Sequence, residues 1–398
     1  MTARGSAPVR NGRLAAVAAL VAFASPAMAR PPSDRDQLRQ YFALPAGSTE
    51  RAPLLKRLGR LSPSRVLGLL RTIEPHTAQA KGAQRFETTV GPYLVIPPAG
   101  YTPKKAWPLH IALHGHGSAQ TAHIACERYW QGEPSRHGTI LACPDLRDRW
   151  TTPRAEQLVI ATYKDVQQRF NIATDRVSLG GFSGGGIGTW LIGPEYPDLF
   201  AALVARAGIP PRADEVIANL NGLPIYVVHG KGDPTIDVSN SRRAVEALDR
   251  LKIEHVYKEM AGSHEFFGKL NDPILDWLAT KKRKLRPSFR YRGRLGGERR
   301  IVHWLELVGS GVVTVNARIE KRRKIVISLD DSSTVKRVVL HLSRKLVDLR
   351  RRQIEVAVGK RRYTLPIKET VAEVLDSYDI TRDLRRVYTV RLEITLRR

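Results

Sequence analysis

The sequence predicts an α/β fold in which a doubly wound, mostly parallel sheet is followed by a smaller β-rich domain of sandwich type. Short apolar runs alternate with helical patterns between residues 85 and 284, as they do in consecutive βα units. Beyond residue 284, β-rich runs replace that alternation. The 398 residues leave room for both units and a leader. We place the boundaries at 1–29 (leader), 30–84 (helical lead-in), 85–284 (α/β domain) and 285–398 (β-rich domain).

The first 29 residues have the three parts of a cleaved signal peptide. Three arginines precede an unbroken apolar run from Leu14 to Phe23, and small residues stand at Ala27 and Ala29, the positions that a signal peptidase reads. An apolar run of ten residues is too short to cross a bilayer. We therefore predict cleavage after Ala29, a mature chain without a transmembrane segment, and a secreted or periplasmic protein.

Export changes the interpretation of the two cysteines. Cys126 and Cys143 are the only cysteines of the chain, and an oxidising compartment permits a disulfide between them. The alternative is a pair of separately buried thiols that pack as small apolar groups. Neither has the sequence neighbours of a zinc site or a catalytic thiol.

The charge of the chain is unevenly distributed. The formal net charge is +27, and residues 281–398 hold 32 Lys and Arg against 13 Asp and Glu, a net charge of +19. Such a domain favours contact with anionic surfaces, and the alternative is a solvated basic face without a partner. Nucleic acid would suit the charge. Export argues against it, and Trp304, Tyr363 and Tyr388 are too scattered to form a stacking platform.

The predicted elements follow the two-domain plan. The lead-in has leucines at helical spacing between residues 54 and 70, and a hairpin is predicted over 86–96. In the α/β domain we predict further strands over 109–113, 139–143, 177–180, 201–205, 225–229 and 255–260, and helices over 155–170, 184–192, 239–251 and 272–282. In the β-rich domain we predict strands over 301–308, 312–320, 325–329, 338–342, 354–358 and 387–396, a hairpin tip at 359–360, and a helix over 370–384.

A serine lies where one of these strands meets a helix. Residues 181–185 read Gly-Phe-Ser-Gly-Gly, and Ser183 follows the strand over 177–180 directly. The sharp turn that exposes such a serine strains the backbone and packs strand against helix, so glycines are needed on either side. Ser183 is the candidate nucleophile. The N–H of Gly184, at the start of the helix, is a candidate donor to an oxyanion.

A serine nucleophile needs a base, and the base needs a carboxylate to orient it. His264 lies in a loop after the strand over 255–260, and Asp233 follows the strand over 225–229. The chain order Ser183, Asp233, His264 is the order used with this kind of strand-to-helix turn. Asp237 is the alternative acid, although it also suits a capping role at the helix that begins at residue 239.

A histidine–glycine segment ends the strand over 109–113. Residues 114–117 read His-Gly-His-Gly, and the N–H of His116 can act beside that of Gly184 as the second oxyanion donor. The alternative is a zinc site made by His114 and His116 with His110 or His123. No acidic cluster follows that segment, so we predict neither a metal nor another cofactor.

These motifs together resemble one superfamily. The stretch from about Phe86 to Lys284, half of the chain, is similar to the α/β-hydrolases, and most of all to their secreted carboxylesterase, acyl-thioesterase-like and polyhydroxybutyrate-depolymerase-like branches. The similarity rests on the segments 113–117, 181–186, 229–234 and 262–264. It implies hydrolysis through an acyl-enzyme, with Ser183, Asp233 and His264 as the triad.

The leading functional hypothesis is hydrolysis of a small-molecule or polymeric carboxylic ester. A serine peptidase of the prolyl-oligopeptidase type is one alternative, because the same groups cleave amides, but no propeller or large lid is predicted. A non-catalytic protein that binds an envelope polymer is the other, and the intact triad positions argue against it. If the β-rich domain is independent, deletion beyond about Arg286 leaves small-ester turnover intact.

Overall fold

The computed structural model describes residues 32–73, 76–117, 121–131, 133–296, 299 and 301–396. The predicted signal peptide lies outside these residues. None of the helices in the described part of the chain combines the length and hydropathy that a membrane span requires.

Three short helices begin this part of the chain: α1 Asp34–Ala43, α2 Arg51–Leu58 and α3 Pro63–Leu70. The sequence sets where two of them start. The Ser33 side chain accepts the backbone N–H of Asp36 at the start of α1, and Ser62 accepts that of Arg65 at the start of α3. Pro63, at the first position of α3, has no N–H that would need a partner there.

An eight-stranded sheet forms the centre of the α/β domain. Its strands are β1 Gln84–Glu87, β2 Pro92–Ile96, β3 Trp107–Leu113, β4 Ile140–Pro144, β5 Ile172–Phe182, β6 Ala202–Arg206, β7 Ile225–Gly230 and β8 His255–Met260. Their order is β1-β2-β4-β3-β5-β6-β7-β8. The β1–β2 and β2–β4 pairs are antiparallel, and all the others are parallel. The predicted mostly parallel sheet is confirmed, and the carboxyl ends of β3 to β8 share one edge.

Helices cover both faces of this sheet. They are α4 Glu133–Arg136, α5 Pro153–Arg169, α6 Gly184–Glu195, α7 Asp214–Ile217, α8 Ser239–Arg250 and α9 Asn271–Ala279, with a π-helical turn over Ile124–Tyr129 and 3₁₀ turns over Ala218–Leu220 and Gly268–Leu270. One core holds Leu158 of α5, Trp190 of α6 and Leu248 of α8 against the sheet. A second core holds Cys126 of the π-helical turn and Ile274 of α9 against the opposite face.

The β-rich domain contains two sheets. Its elements are β9 Ser288–Leu295, β10 Leu305–Gly309, β11 Gly311–Glu320, β12 Lys324–Leu329, β13 Val335–Leu342, β14 Gln353–Val358, β15 Arg361–Pro366, α10 Val371–Thr381 and β16 Val390–Thr395, with 3₁₀ turns over Ser332–Thr334 and Leu384–Arg386. Five strands pair in the order β15-β14-β12-β11-β9, and three in the order β10-β13-β16. A common core of buried side chains from both sheets agrees with the predicted sandwich-like architecture.

The structure differs from the predicted elements at several places in this domain. β9 is a strand that was not predicted, whereas β15 is the returning strand of the hairpin whose tip was predicted at 359–360. In β9 the buried Phe289 and Tyr291 alternate with arginines that are less buried, so the strand has one apolar face. The strand predicted from residue 301 begins only at Leu305, because Val302 and Leu305 pair with each other in a tight turn.

The helical lead-in packs against the other end of the chain. Leu38, Leu58 and Leu70 share a core with Val374 and Leu375 of α10. In addition, the buried Arg51 donates to a carboxylate oxygen of Asp379 in α10, at 2.6 Å. The lead-in therefore contributes to the layer that covers the β-rich domain.

Buried ion pairs join the α/β domain to the β-rich domain. Arg386 binds the carboxylate of Asp198, which also accepts the backbone N–H of His303 at 2.7 Å. Asp383 binds Arg283 and accepts the hydroxyl of Thr174 at 2.7 Å. Each carboxylate binds partners on the opposite domain, so the junction is built from specific polar contacts.

Candidate active site

The candidate nucleophile lies at the junction of β5 and α6. Ser183 has φ 56° and ψ −116°, a conformation outside the helical and extended regions. A Cβ added to Gly181 would come within 2.4 Å of the Gly185 carbonyl, and one added to Gly185 would come within 2.3 Å of the Leu113 carbonyl. These contacts explain why glycines flank the serine: strand and helix approach too closely for a side chain.

Three predicted residues form one hydrogen-bonded chain. The Nε2 atom of His264 lies 2.9 Å from the Ser183 hydroxyl oxygen, and its Nδ1 atom lies 2.7 Å from Oδ2 of Asp233. A carboxylate only accepts hydrogen bonds, so Nδ1 carries the proton and Nε2 is free to accept the serine proton. The three side chains come from the ends of β5, β7 and β8, which the parallel sheet brings to one edge.

Asp233 is held as an ionised, oriented carboxylate. Its side chain is fully buried, and its Oδ1 atom accepts the backbone N–H groups of Thr235 at 2.8 Å and Ile236 at 2.9 Å. Burial alone raises the pKa of Asp233, but the hydrogen bonds from His264 and from these two N–H groups outweigh it, so the pKa lies below its ordinary value.

A second histidine supports the carboxylate loop. His229 is completely buried, and its Nε2 atom lies 2.8 Å from the Ile236 carbonyl and 3.2 Å from Oδ2 of Asp233. Both neighbours are acceptors, so Nε2 carries the proton and Nδ1 accepts the hydroxyl of Ser241 at 2.6 Å. The sequence placed His229 in the motif before Asp233 but did not indicate this role.

The alternative acid lies apart from this chain of hydrogen bonds. Asp237 is exposed, and its carboxylate accepts the backbone N–H of Ser239 at 2.8 Å, at the first residue of α8. Hydrogen bonds with Ser239 lower its pKa. Asp237 thus bonds the first N–H of α8 from the position before the N-cap residue, Val238.

The His-Gly-His-Gly segment lies against the nucleophile turn. A Cβ on Gly184 would come within 2.4 Å of the His116 ring, so this ring lies directly over the start of α6. The Gly184 N–H, as the first of α6, has no acceptor within the helix. The structure therefore places the two residues that were predicted to hold an oxyanion, His116 and Gly184, in contact through the His116 ring.

The imidazoles of this segment accept hydrogen bonds from backbone N–H groups. Nε2 of His114 accepts the N–H of Leu146 at 3.2 Å, and Nε2 of His116 accepts that of Trp150 at 3.4 Å. His110 faces the Ser178 hydroxyl at 2.8 Å, and burial lowers its pKa to about 3. Among the described residues, no group of three His, Cys, Asp or Glu side chains is arranged to hold a metal ion.

The two cysteines are joined next to the site. Cys126 of the π-helical turn and Cys143 of β4 form a disulfide, with their Cα atoms 5.9 Å apart. The disulfide lies in the core on the sheet face that also carries Trp130 and Phe267. It thereby fixes the π-helical turn to the sheet beside the loop of His264.

Part of the chain matches a known family. Residues 148–280 match the family described as phospholipase/carboxylesterase. Similar solved structures include a thermostable esterase, with 24% identity over 51% of this chain and 63% of that one and a TM-score of 0.43. Fluorophosphonate-binding serine hydrolase F of Staphylococcus aureus has 16% identity over 50% of this chain and 98% of its own, with a TM-score of 0.43. Dipeptidyl peptidase 4 of Porphyromonas gingivalis has 16% identity over 54% of this chain and 37% of its own, with a TM-score of 0.44. The chain thus spans less than two thirds of the thermostable esterase. No curated protein matches it.

The family match agrees with the architecture and the site. It includes the nucleophile turn and the loops that carry Asp233 and His264. It confirms the resemblance to carboxylesterase-like α/β-hydrolases over the matched residues. The substrate and the roles of individual residues do not follow from the match.

Proposed function

We propose that the protein hydrolyses carboxylic esters through an acyl-enzyme formed on Ser183. The observation that carries this proposal is the chain of hydrogen bonds from Ser183 through His264 to the buried carboxylate of Asp233. Such a chain supplies what a serine hydroxyl lacks, namely a base at hydrogen-bonding distance and a group that orients the base.

In the proposed reaction, Ser183 Oγ attacks the ester carbonyl while its proton passes to Nε2 of His264. The N–H groups of Gly184 and His116 stabilise the negative oxygen of the tetrahedral intermediate. His264 then gives the proton to the departing alcohol. Water, deprotonated in turn by His264, attacks the acyl carbon and releases the acid and Ser183. Asp233 stays ionised throughout, because its hydrogen bonds hold its pKa below the ordinary value.

Ester hydrolysis is favoured over the two alternatives. The matched family is one of phospholipases and carboxylesterases. A peptidase of the prolyl-oligopeptidase type would use the same triad, and dipeptidyl peptidase 4 is among the similar folds, but the alignment spans only 37% of that enzyme. A binding protein without catalysis would have no need of the strained backbone at Ser183.

The test is a serine-directed probe combined with a panel of substrates. A fluorophosphonate should label the wild type, and Ser183→Ala should abolish both the labelling and the hydrolysis of short-chain nitrophenyl esters. Chelators should have no effect. Undiminished hydrolysis by Ser183→Ala would overturn the proposal, and faster turnover of peptides than of esters would favour the peptidase alternative.

We also propose that the protein is exported and contacts an anionic envelope surface through one end of the sandwich. The turn after β11 and the loop after β13 meet there: Arg322 donates to the carbonyls of Arg344 and Val347, and the N–H of Asp348 donates to the Arg322 carbonyl at 2.9 Å. We call these two segments the basic end. Its exposed cations are Lys321, Arg322, Arg323, Arg344, Lys345, Arg350, Arg351 and Arg352. Such a concentration of positive charge attracts anionic surfaces.

Charge reversal tests the basic end. The wild type should adsorb to phosphatidylglycerol vesicles at low salt and be released by salt. The combined variant Lys321→Glu, Arg323→Glu, Arg351→Glu and Arg352→Glu should no longer adsorb, and its turnover of a soluble ester should be unchanged. The matched control reverses four exposed cations elsewhere: Arg57, Arg60, Lys81 and Lys252. Equal losses in both variants would mean that only net charge matters. For export, N-terminal sequencing of the released protein should begin at Arg30.

A further inference from the structure

A buried cation that forms no ion pair with any described residue lies behind the candidate nucleophile. Arg206, the last residue of β6, is 1% exposed. Its Nη2 atom donates to Oδ1 of Asn271 at 2.8 Å, whereas its Nε and Nη1 atoms make no hydrogen bond within the described residues. Burial lowers its pKa to about 9. Because a buried, unpaired charge is costly, the groups that surround it indicate what it does.

Aromatic rings surround this guanidinium. Its carbon atom lies 3.8 Å from the ring centroid of Phe266 and 4.8 Å from that of Trp130. The Tyr129 ring stacks on Phe266, with centroids 4.4 Å apart and planes 12° from parallel. A cation near an aromatic face is attracted to it, and most strongly where water is excluded. The principal contact of Arg206 is therefore Phe266, two residues after His264.

The same residue also touches the nucleophile turn. The backbone N–H of Ser183 donates to the Arg206 carbonyl at 2.9 Å. The Phe182 ring lies 4.9 Å from the His264 ring and 6.0 Å from that of Phe266. Residue 206 therefore contacts the serine through its backbone and the histidine loop through its side chain.

The loop of His264 depends on such anchors. Its backbone turns sharply, with φ 151° at Gly262 and φ 54° at Phe267. Few regular hydrogen bonds fix its course: the Gly262 carbonyl accepts the N–H of Gly232 at 2.9 Å, and Glu265 bonds back to Ser263. The Phe266 ring is the apolar side-chain anchor nearest to His264 in the chain.

We propose that Arg206 is a positioning residue: through Phe266 it holds the His264 loop so that Nε2 meets the Ser183 hydroxyl. This inference rests on the proposed ester hydrolysis. Arg206 itself does not touch the reacting atoms. It acts on the rate of each chemical step that uses His264 and leaves substrate binding largely unchanged.

The test compares Arg206→Met, Phe266→Leu and the double variant. Active sites are counted with a fluorophosphonate, and kcat is expressed per labelled site, so that loss of folded protein does not lower it. Each single variant should reduce kcat about tenfold with KM changed less than about threefold. The double variant should be no worse than the singles, because both remove one interaction. Arg206→Lys, which keeps the charge, should recover part of the rate.

The matched control is Arg51→Met. Arg51 is also buried and lies 4.6 Å from the ring centroid of Tyr41, but in the lead-in. Its loss should lower Tm and leave kcat per labelled site unchanged.

The possible failures are distinguishable. Wild-type kcat per site in Arg206→Met, or independent losses that multiply in the double variant, would overturn the inference. If Arg206→Met does not fold, Phe266→Leu at the half-buried ring decides, and an unchanged kcat there would overturn it as well. A wild type that the probe does not label would instead refute the proposed function.

Discussion

At the residue scale, Asp233 and Asp237 show how position separates two identical side chains. They lie four residues apart after the same strand, yet Asp233 is buried against His264 whereas Asp237 is exposed at the start of α8. The turn between them folds the N–H groups of Thr235 and Ile236 onto Asp233. Only the carboxylate inside the turn can orient a base.

Replacing each aspartate by asparagine should have opposite results. Asp233→Asn should lower kcat about 10³- to 10⁴-fold, because an amide donor facing Nδ1 favours the tautomer whose Nε2 cannot take the serine proton. Asp237→Asn should keep kcat within about twofold of the wild type. Both are measured with a short-chain nitrophenyl ester, per fluorophosphonate-labelled site. A large loss in Asp237→Asn with little change in Asp233→Asn would reverse the assignment.

The residues differ in how far the sequence could identify them. Ser183, Asp233 and His264 follow strands within recognisable motifs, so strand order alone places them at one edge of the sheet. The role of His229 depends on the turn that brings the Ile236 carbonyl to it, and no local pattern records that turn. Arg206 lies one residue beyond the strand predicted over 201–205, and no local pattern shows that Phe266 and Trp130 enclose its side chain.

At the scale of elements, the buried parallel strands were the most predictable. β3 and β7 are almost continuous apolar runs, because helices cover both faces of the sheet. The bounds of β15 were not predicted beyond its hairpin tip, since none of its residues is buried. The packing of α1–α3 on α10 joins residues more than 300 positions apart, a contact that local periodicity does not contain.

One buried network attaches α10 to the sandwich. In His341 of β13, Nδ1 lies 2.6 Å from Glu373 of α10, and Nε2 lies 2.8 Å from Glu306 of β10. Burial lowers the pKa of His341, but the two carboxylates outweigh it and the pKa is raised. For Glu306, burial raises the pKa, yet the bonds from His341 and Arg299 lower it to about 2. The imidazolium is thus the stable form.

The pH dependence of stability should reveal this network. The raised pKa of His341 stabilises the fold fully below about pH 6.5, and this stabilisation is lost as the pH rises through the pKa that His341 has in the folded state. The lowered pKa of Glu306 stabilises the fold fully above about pH 4.5. Between those values His341→Gln should reduce the free energy of unfolding by about 3 kcal/mol, and by less at alkaline pH. Thermal unfolding across pH measures the difference, with the exposed His123→Gln as control. A deficit that grows with rising pH would contradict the expected charge state.

At the scale of the whole molecule, the buried contacts between the two domains indicate that each domain needs the other for its stability. The sequence suggested that the β-rich domain could be deleted, but Asp198 is buried with Arg386 and the His303 N–H as its partners from that domain. Burial alone raises the pKa of Asp198. The charge of Arg386 and the neighbouring groups outweigh this effect, so the pKa lies below its ordinary value. Deletion would leave that carboxylate unpaired and remove α10 from the lead-in helices.

We therefore expect a chain of residues 30–286 to contain few or no active sites. Removing one partner of a buried ion pair costs about 3–5 kcal/mol, a large part of the roughly 5–15 kcal/mol that stabilises a domain. The measurement is the number of fluorophosphonate-labelled sites per milligram of soluble protein. Arg386→Met in the full chain separates stability from chemistry, since it should lower the free energy of unfolding by about 3 kcal/mol and keep kcat per labelled site. A soluble 30–286 chain with a full complement of sites and wild-type kcat would establish instead that the β-rich domain only adds a surface to an independent enzyme.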